Sequence, residues 1–362
     1  MKIGIIGSGI TGAVLGNLLP EAIVYERATH VGGRMTTRFL KDTEQFDIGA
    51  TVFKEKIEYI EKGLQKEFDF LDFLKTRAPN LKIEAHKTHP SSFHPISCMQ
   101  DLSASLLSNS TVELLHHAES ITKSPDQSQW ILKFNSGKTE LFDKIILTAP
   151  VPQVISLLKN SGHMTHWDEA IRFRGEYRSS LVLTGIWRNL PSEVVQKVKA
   201  QKNFTFFFKD EDAEYISIES EKYRKNDSDH SLIITIQFSS AFSSKNLERW
   251  CDAEKKPMYY ILNSNQYFFN RVFHVLDIPE MISKKPDQID THKWRYSQAD
   301  FALFKDTDIN LDHPKFLEYI TLSKKHNLWM TGDWIWGSRI VRCALGATVI
   351  AKEIIKDSTH LS

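Results

Sequence analysis

The chain is poor in cysteine. Only Cys98, Cys251 and Cys343 occur in 362 residues, far apart and odd in number, which excludes a disulfide framework and fits a reducing cytoplasm. It also lacks an excess of either charge: 46 Lys and Arg stand against 45 Asp and Glu. That balance leaves no electrostatic footprint for nucleic acid or anionic lipid. No apolar run approaches the length of a membrane span, and the polar tail Lys356–Ser362 is not an anchor. The opening apolar run carries one preceding Lys, contains glycines and leads into Glu26-Arg27, so it is expected to be a strand and helix rather than a leader. No repeat or low-complexity tract occurs. His86, His89 and His94 fall within nine positions, but Pro90 and Pro95 break their spacing and no Cys or carboxylate cluster lies nearby. The segment reads as a polar loop, and no metal is expected. No Ser/His/Asp set or carboxylate pair suggests hydrolytic chemistry.

What the chain does have is concentrated at its start. Lys2–Ile6 has the composition of a buried parallel strand. Gly7-Ser8-Gly9-Ile10-Thr11-Gly12 follows as a G-x-G-x-x-G turn, then a helical stretch from Ala13 to Leu19, a second strand Ile23–Tyr25, and Glu26, 19 positions after Gly7. Gly7 permits the tight turn, Gly9 lets backbone approach a pyrophosphate, and Gly12 lets the helix pack on the strand. Amides and the positive dipole at the helix start hold phosphate. Glu26 can accept from a ribose hydroxyl and repels a 2′-phosphate. The strand, turn, helix, strand and acid in register predict dinucleotide binding.

Beyond this unit the texture changes. Apolar residues at three- and four-residue steps (Ile57, Ile60, Leu64, Phe68, Leu71, Leu74) predict a helix over 54–74. Met99–Leu107 reads as a short helix, and Val112–Leu115, Ala118–Ile121, Trp130–Phe134 and Phe142–Leu147 read as strands. From 156 to 324 glycine motifs stop and period-two alternation takes over, at Leu181–Ile186, Phe204–Phe208 and Leu232–Phe238, which predicts an antiparallel sheet with one covered face. Pro257 opens a helix. The aromatic side chains here suit either a flat pocket or plain core. Leu328–Trp334 reads as a strand ending on Gly332-Asp333, followed by a helix from about Val341 to Ile355.

Three segments in order resemble the flavoprotein amine-oxidase superfamily. They are the opening unit with Glu26 and Arg27, the second glycine pair in Gly32-Gly33-Arg34-Met35, and Asp47-Ile48-Gly49-Ala50-Thr51. The resemblance implies that Gly32–Met35 wraps the far side of an FAD pyrophosphate and that Gly49–Thr51 passes the ribityl chain and flavin ring. It places adenine near Ala118, makes Ala149 part of the middle cofactor segment, and gives Asp333 beside Gly332 the ribityl hydroxyls or the pyrophosphate network. The helix beginning at Val341 would face the pyrimidine edge, where charge gathers on reduction. Relatives commonly carry an acid-glycine or polar-glycine pair where this chain has Arg342-Cys343. Arg342 could stabilise reduced flavin or form a salt bridge outside the site. No Cys stands in Gly332–Gly337, where monoamine oxidases tether FAD, so the cofactor is expected to be non-covalent.

Within the superfamily, His292-Lys293-Trp294-Arg295-Tyr296-Ser297-Gln298, Tyr177–Leu181 and Ile216–Glu219 resemble the renalase branch. The expected fold is a two-domain α/β flavoprotein. A Rossmann-like FAD domain (1–55, 96–155 and 325–362) holds an inserted, largely antiparallel substrate domain (56–95 and 156–324). The resemblance implies a cytoplasmic oxidase that converts 2- or 6-dihydro-NAD(P) isomers to NAD(P)+, with oxygen reduced to hydrogen peroxide. Trp294 and Arg295 are candidates for the pocket beside the flavin, or else a core indole and a surface charge. The rival functions are another flavin oxidase, acting on an amine or lipophilic ring, and a non-enzymatic FAD-binding sensor. Sequence does not fix the oligomeric state.

Overall fold

The computed structural model describes the chain except residues 41–43, 87–90, 161–176, 202, 208–211, 224–229, 249, 251–257, 305–307 and 360–362, together with the side chains of 258–265 and 358–359. Cys251, Pro257, His89, Pro90 and Phe208, all used above, lie outside the described residues.

Short apolar runs assemble into a five-stranded parallel sheet. Strand β1 (Ile3–Ile6) pairs with β2 (Ala22–Tyr25) on one side and Lys144–Leu147 on the other. Thr111–Glu113 lies outside β2, and Leu328–Met330 beyond Lys144–Leu147. Helix α1 (Ile10–Leu18) links β1 to β2 and packs against the carboxy-terminal helix Ile340–Thr359. Covering both faces of the sheet explains why its strands are nearly all apolar rather than alternating. The architecture is α/β, a Rossmann-like sheet joined to a largely antiparallel one.

The second sheet runs in the order Thr205–Phe207, Ala213–Ile218, Leu232–Phe238, Tyr177–Trp187, Gln288–Ala299, each neighbour antiparallel. Its alternation has two destinations. Leu181, Leu183, Ile216, Ile234 and Ile236 face a core shared with Phe269, Val272 and Phe273 of the helix Met258–Val275. Val182, Ile186 and Ile233 face the other way, against Phe46, Ile48 and Trp294. The second face is therefore covered too, by the segment that includes Asp47–Thr51.

Two expectations are corrected. Residues 54–74 are not one helix. Lys56–Glu61 and Leu64–Asp69 form a hairpin, turned at Lys62-Gly63 with positive φ at both, and only Phe70–Arg77 is helical. Asp312 fixes the turn by accepting from the amides of Lys62 and Gly63, and Asp69 caps the helix by accepting from Asp72 N. The three- and four-residue spacing spanned a strand pair and the helix after it. Nor is the histidine segment simply a polar loop: Ile83–Ala85 and Ser92–Pro95 pair as strands, and His86 and His94 are buried. Phe70, Leu74, Phe316, Tyr319 and Ile320 share a core with the parallel sheet.

Candidate functional site

The glycine turn folds as its chemistry requires. Gly7 has φ +108° and donates to Tyr25 O at 2.8 Å. A Cβ on Gly12 would stand 1.9 Å from Gly7 O, so only glycine lets α1 start this close to the strand. A Cβ on Gly9 would meet nothing within 4 Å: there is open space over the backbone at the helix start. The second glycine pair lies directly on the first. Gly32 N donates to Ser8 O at 3.1 Å, and a Cβ on Gly33, itself at φ +54°, would be 3.1 Å from Gly9 Cα. Two backbone turns separated by some twenty residues thus make one cradle with room above Gly9, which fits a pyrophosphate.

Glu26 closes the end of β2 and is 9% exposed. Its Oε2 accepts from Ser8 N at 3.0 Å and Ser8 Oγ at 2.7 Å, and Oε1 accepts from Ala28 N at 2.9 Å. A carboxylate offers roughly four acceptor positions; three are taken by its own loop, so Glu26 shapes the turn as well as offering a lone pair outward. Its carbonyl accepts from His116 N at 2.8 Å, which brings half-buried Ala118 alongside. Ala149 abuts Gly7. Arg27 is exposed and Met35 buried.

Arg34 and Asp333 join the two ends of the site. Arg34 Nη1 lies 2.6 Å from Asp333 Oδ2 and 2.9 Å from Ser297 O. Asp333 also receives the Tyr177 hydroxyl at 2.8 Å, Ser338 Oγ at 3.2 Å and Ala299 N at 3.3 Å. Burial pushes its carboxyl up, but Arg34 and these hydrogen bonds outweigh it and hold Asp333 below the usual carboxylate range. Tyr177 is pushed up, by burial first and then by Asp333, and stays a phenol.

The segment 47–51 rests on Arg34. Ala50 N donates to Arg34 O at 2.9 Å, and a Cβ on Gly49 would stand 2.0 Å from that oxygen. From the other side the antiparallel sheet and the short helix Glu219–Tyr223 grip it: Trp294 Nε1 donates to Ile48 O (2.5 Å), Gln237 Nε2 to Gly49 O (2.6 Å) and Lys222 Nζ to Thr51 O (2.6 Å), while Asp47 N donates to Glu219 Oε2 (2.9 Å). Lys222 also pairs with Asp47, both sealed from solvent, and Thr51 Oγ1 meets the Tyr215 hydroxyl.

The structure thus gathers Gly7–Gly12, Glu26, Gly32–Met35, Gly49–Thr51, Ala149, Gly332, Asp333 and Trp294. Two candidates go elsewhere. Strand alternation sends Arg295 to the opposite face from Trp294, where it pairs with exposed Glu248 at 2.8 Å, so it is corrected from pocket residue to surface charge. Arg342 donates to the carbonyls of Trp336 and Phe304. Val341 is buried in the first turn of its helix. Lys222, Tyr223, Gln237 and Ser338 were missed. Glu221-Lys222 reads as a solvated pair, and no pattern marks Gln237 as the partner of a carbonyl 188 residues away.

Residues 5–62 match the family model of the NAD(P)-binding Rossmann-like domain. No curated protein matches the chain in sequence. Among solved structures, a putative protoporphyrinogen oxidase from Exiguobacterium sp. 255-15 shares the fold with a TM-score of 0.60 and 12% identity, over 98% of each chain. A putrescine oxidase bound to putrescine has a TM-score of 0.56 and 11% identity, over 98% of this chain and 99% of that one. An oxidoreductase from Methanosarcina mazei has a TM-score of 0.54 and 11% identity, over 97% and 100%. At these identities the likeness is one of fold.

Proposed function

We propose that the chain is a cytoplasmic, FAD-dependent oxidoreductase that takes hydride from a 2- or 6-dihydronicotinamide nucleotide and passes the electrons to oxygen. The observation that carries the FAD reading is the stacking of the three glycine-bearing segments, Gly33 on Gly9 and Gly49 on the carbonyl of Arg34. A nicotinamide dehydrogenase needs the first of these segments but not the other two.

When bound, FAD supplies the ring that accepts hydride, and the protein's part is placement. Gly9 leaves room for the pyrophosphate, which Gly32 and Gly33 close over. Glu26 turns its remaining lone pair to a ribose hydroxyl. Asp333, kept ionised by Arg34, has its acceptor positions taken by Arg34, Tyr177, Ser338 and the Ala299 amide, so it would brace the two ends of the cradle rather than meet the ribityl chain itself. Trp294 and Gln237 of the antiparallel sheet and Lys222 of the short helix Glu219–Tyr223 hold the carbonyls of Ile48, Gly49 and Thr51, so the wall lining the ring is rigid. A dihydronicotinamide already donates hydride readily, so stacking at the correct distance suffices and no acid or base is required.

The donor assignment rests on the Lys293–Gln298 string, whose strand is tied to Ile48 through Trp294 and to Arg34 through Ser297 O. The shared fold with a putrescine oxidase favours a second reading, oxidation of an amine. Product analysis under air separates them. The first reading yields oxidised nicotinamide nucleotide and hydrogen peroxide in equal amounts. Peroxide formed from diamines and none from the isomers would overturn it.

A further inference from the structure

Three ionisable side chains are buried together where the antiparallel sheet meets 47–51. Asp47 and Lys222 form an ion pair, both 0% exposed, and Asp47 also accepts from the hydroxyls of Tyr223 and Thr37, each at 2.5 Å. Lys222 has a second acceptor in Thr51 O. This pair is complete in charge and in hydrogen bonds. Glu219, on the short helix Glu219–Tyr223, is the third member and is also 0% exposed. Its Oε2 holds the Asp47 amide, while its Oε1 is buried and meets no donor. The buried Ser217 Oγ likewise makes no well-formed hydrogen bond, and its hydroxyl lies close enough to Glu219 to favour the carboxylate only weakly. Two carboxylates against one ammonium leave one negative charge too many if all three ionise. A sealed carboxylate with one bare oxygen and a second carboxylate beside it favours the protonated form.

We propose that Glu219 is a proton-binding positioning residue: its buried carboxyl binds and releases one proton, and the proton's departure loads one uncompensated negative charge onto the main chain of 47–51. The consequence for the cofactor rests on the reading above that 47–51 lines the flavin. Hydride transfer adds negative charge on that side of the wall, and Glu219 then draws one proton from solvent, Oε1 changing from carboxylate oxygen to hydroxyl. The cluster thereby offsets the charge that reduction deposits.

The groups facing Glu219 support this assignment. Burial, with Asp47 adding to it, pushes its carboxyl up to about 7, against the opposing pull of Lys222, Ser217 and the Asp47 amide. Tyr215 on the strand beneath and Tyr223 on the same helix are both pushed up, chiefly by burial, and stay neutral. Behind Tyr223 and Lys222, the Cys98 thiol is pushed up to about 12 by burial, and burial with the Lys222 charge pushes His94 down to about 4. None of these four changes charge near neutral pH, which leaves Glu219 to do so.

The test measures the midpoint potential of the bound flavin from about pH 5.5 to 8.5 in the wild-type holoprotein and in E219Q. The expected result is that the wild type takes up more protons per two electrons than E219Q, by up to one, within this window. Equal slopes would overturn the proposal while leaving the FAD reading intact. If E219Q does not fold, wild-type protein carrying 13C-labelled glutamate answers the same question: one side-chain carboxyl carbon should titrate near neutral pH, with a further rise on flavin reduction. All glutamates titrating in the ordinary acid range would overturn it. That titration can also be read without flavin, so a protein that binds no FAD would sink the functional reading and still report on Glu219.

Discussion

Arg34 and Asp333 stand 299 residues apart in the chain and 2.6 Å apart in the fold. Asp333 is 1% exposed while the Arg34 side chain keeps 31%, so the acid depends on the base far more than the reverse. Removing one partner of such a pair costs about 3–5 kcal/mol at the buried extreme, and the partly open guanidinium places R34A at the lower end. Because Asp333 is held below its ordinary range, this stability is present above the usual Asp pKa and lost as pH falls through the depressed folded value. Urea unfolding should therefore show the deficit of R34A shrinking below about pH 4, and D333N should be the milder variant at neutral pH. A deficit independent of pH would mean that the pair contributes packing rather than charge.

Glu26→Ala should weaken FAD binding by about 1–2 kcal/mol, typical of a lost charge-assisted hydrogen bond, with Glu26→Lys worse. The three bonds from Ser8 and Ala28 add a further expectation, that the glycine turn itself loosens. Fluorescence titration of the apoprotein measures the first effect and amide exchange at Ser8 the second. Unchanged dissociation constants for both variants would put the ribose contact elsewhere.

The glycines separate binding from folding. At Gly49 an added methyl would collide with Arg34 O, so G49A should lose folded protein. At Gly9 nothing lies within 4 Å, so G9A should keep its melting temperature yet bind FAD at least tenfold, or about 1.4 kcal/mol, more weakly. Normal affinity in G9A would show that the open space above it is not where phosphate goes.

Glu219 gives the opposite pH sign to Asp333. Its folded carboxyl is raised from 4.5 to about 7, so across that window the folded protein keeps a proton that the unfolded chain has lost. Stability therefore falls as pH rises through the window. E219Q does not titrate and should gain on the wild type by up to about 3 kcal/mol between pH 4.5 and pH 8. Parallel stability curves for the two proteins would show that Glu219 ionises normally.

Much of the cofactor cradle was legible because it is local chemistry. Gly7, Gly9, Gly12 and Glu26 lie within one strand-helix-strand unit; Gly7 and Gly12 answer backbone demands that no other residue meets, and Gly9 keeps open the space above the helix start. The hairpin at 56–69 was not legible: a strand pair followed by a helix mimics helical spacing, and the turn's anchor, Asp312, lies about 250 residues away. Lys222 and Gln237 were hidden for a related reason. Their partners are main-chain carbonyls, which leave no trace in residue type. Arg295 shows the limit of motif reading, since the string containing it was recognised but strand alternation decides which of its side chains turn inward.

The central claim, that a dihydronicotinamide isomer is the donor, is tested most directly by anaerobic flavin bleaching. FAD-loaded protein is mixed with 2- or 6-dihydro-NAD(P), with ordinary 4-dihydro-NAD(P)H and with putrescine, and the loss of flavin absorbance is followed. A pocket that fixes one ring orientation brings only certain carbons to about 3–3.5 Å of the accepting atom, and only those deliver hydride. The account predicts rapid bleaching by an isomer, much slower bleaching by the 4-dihydro form and none by putrescine. Rapid bleaching by putrescine with none by the isomers would contradict it.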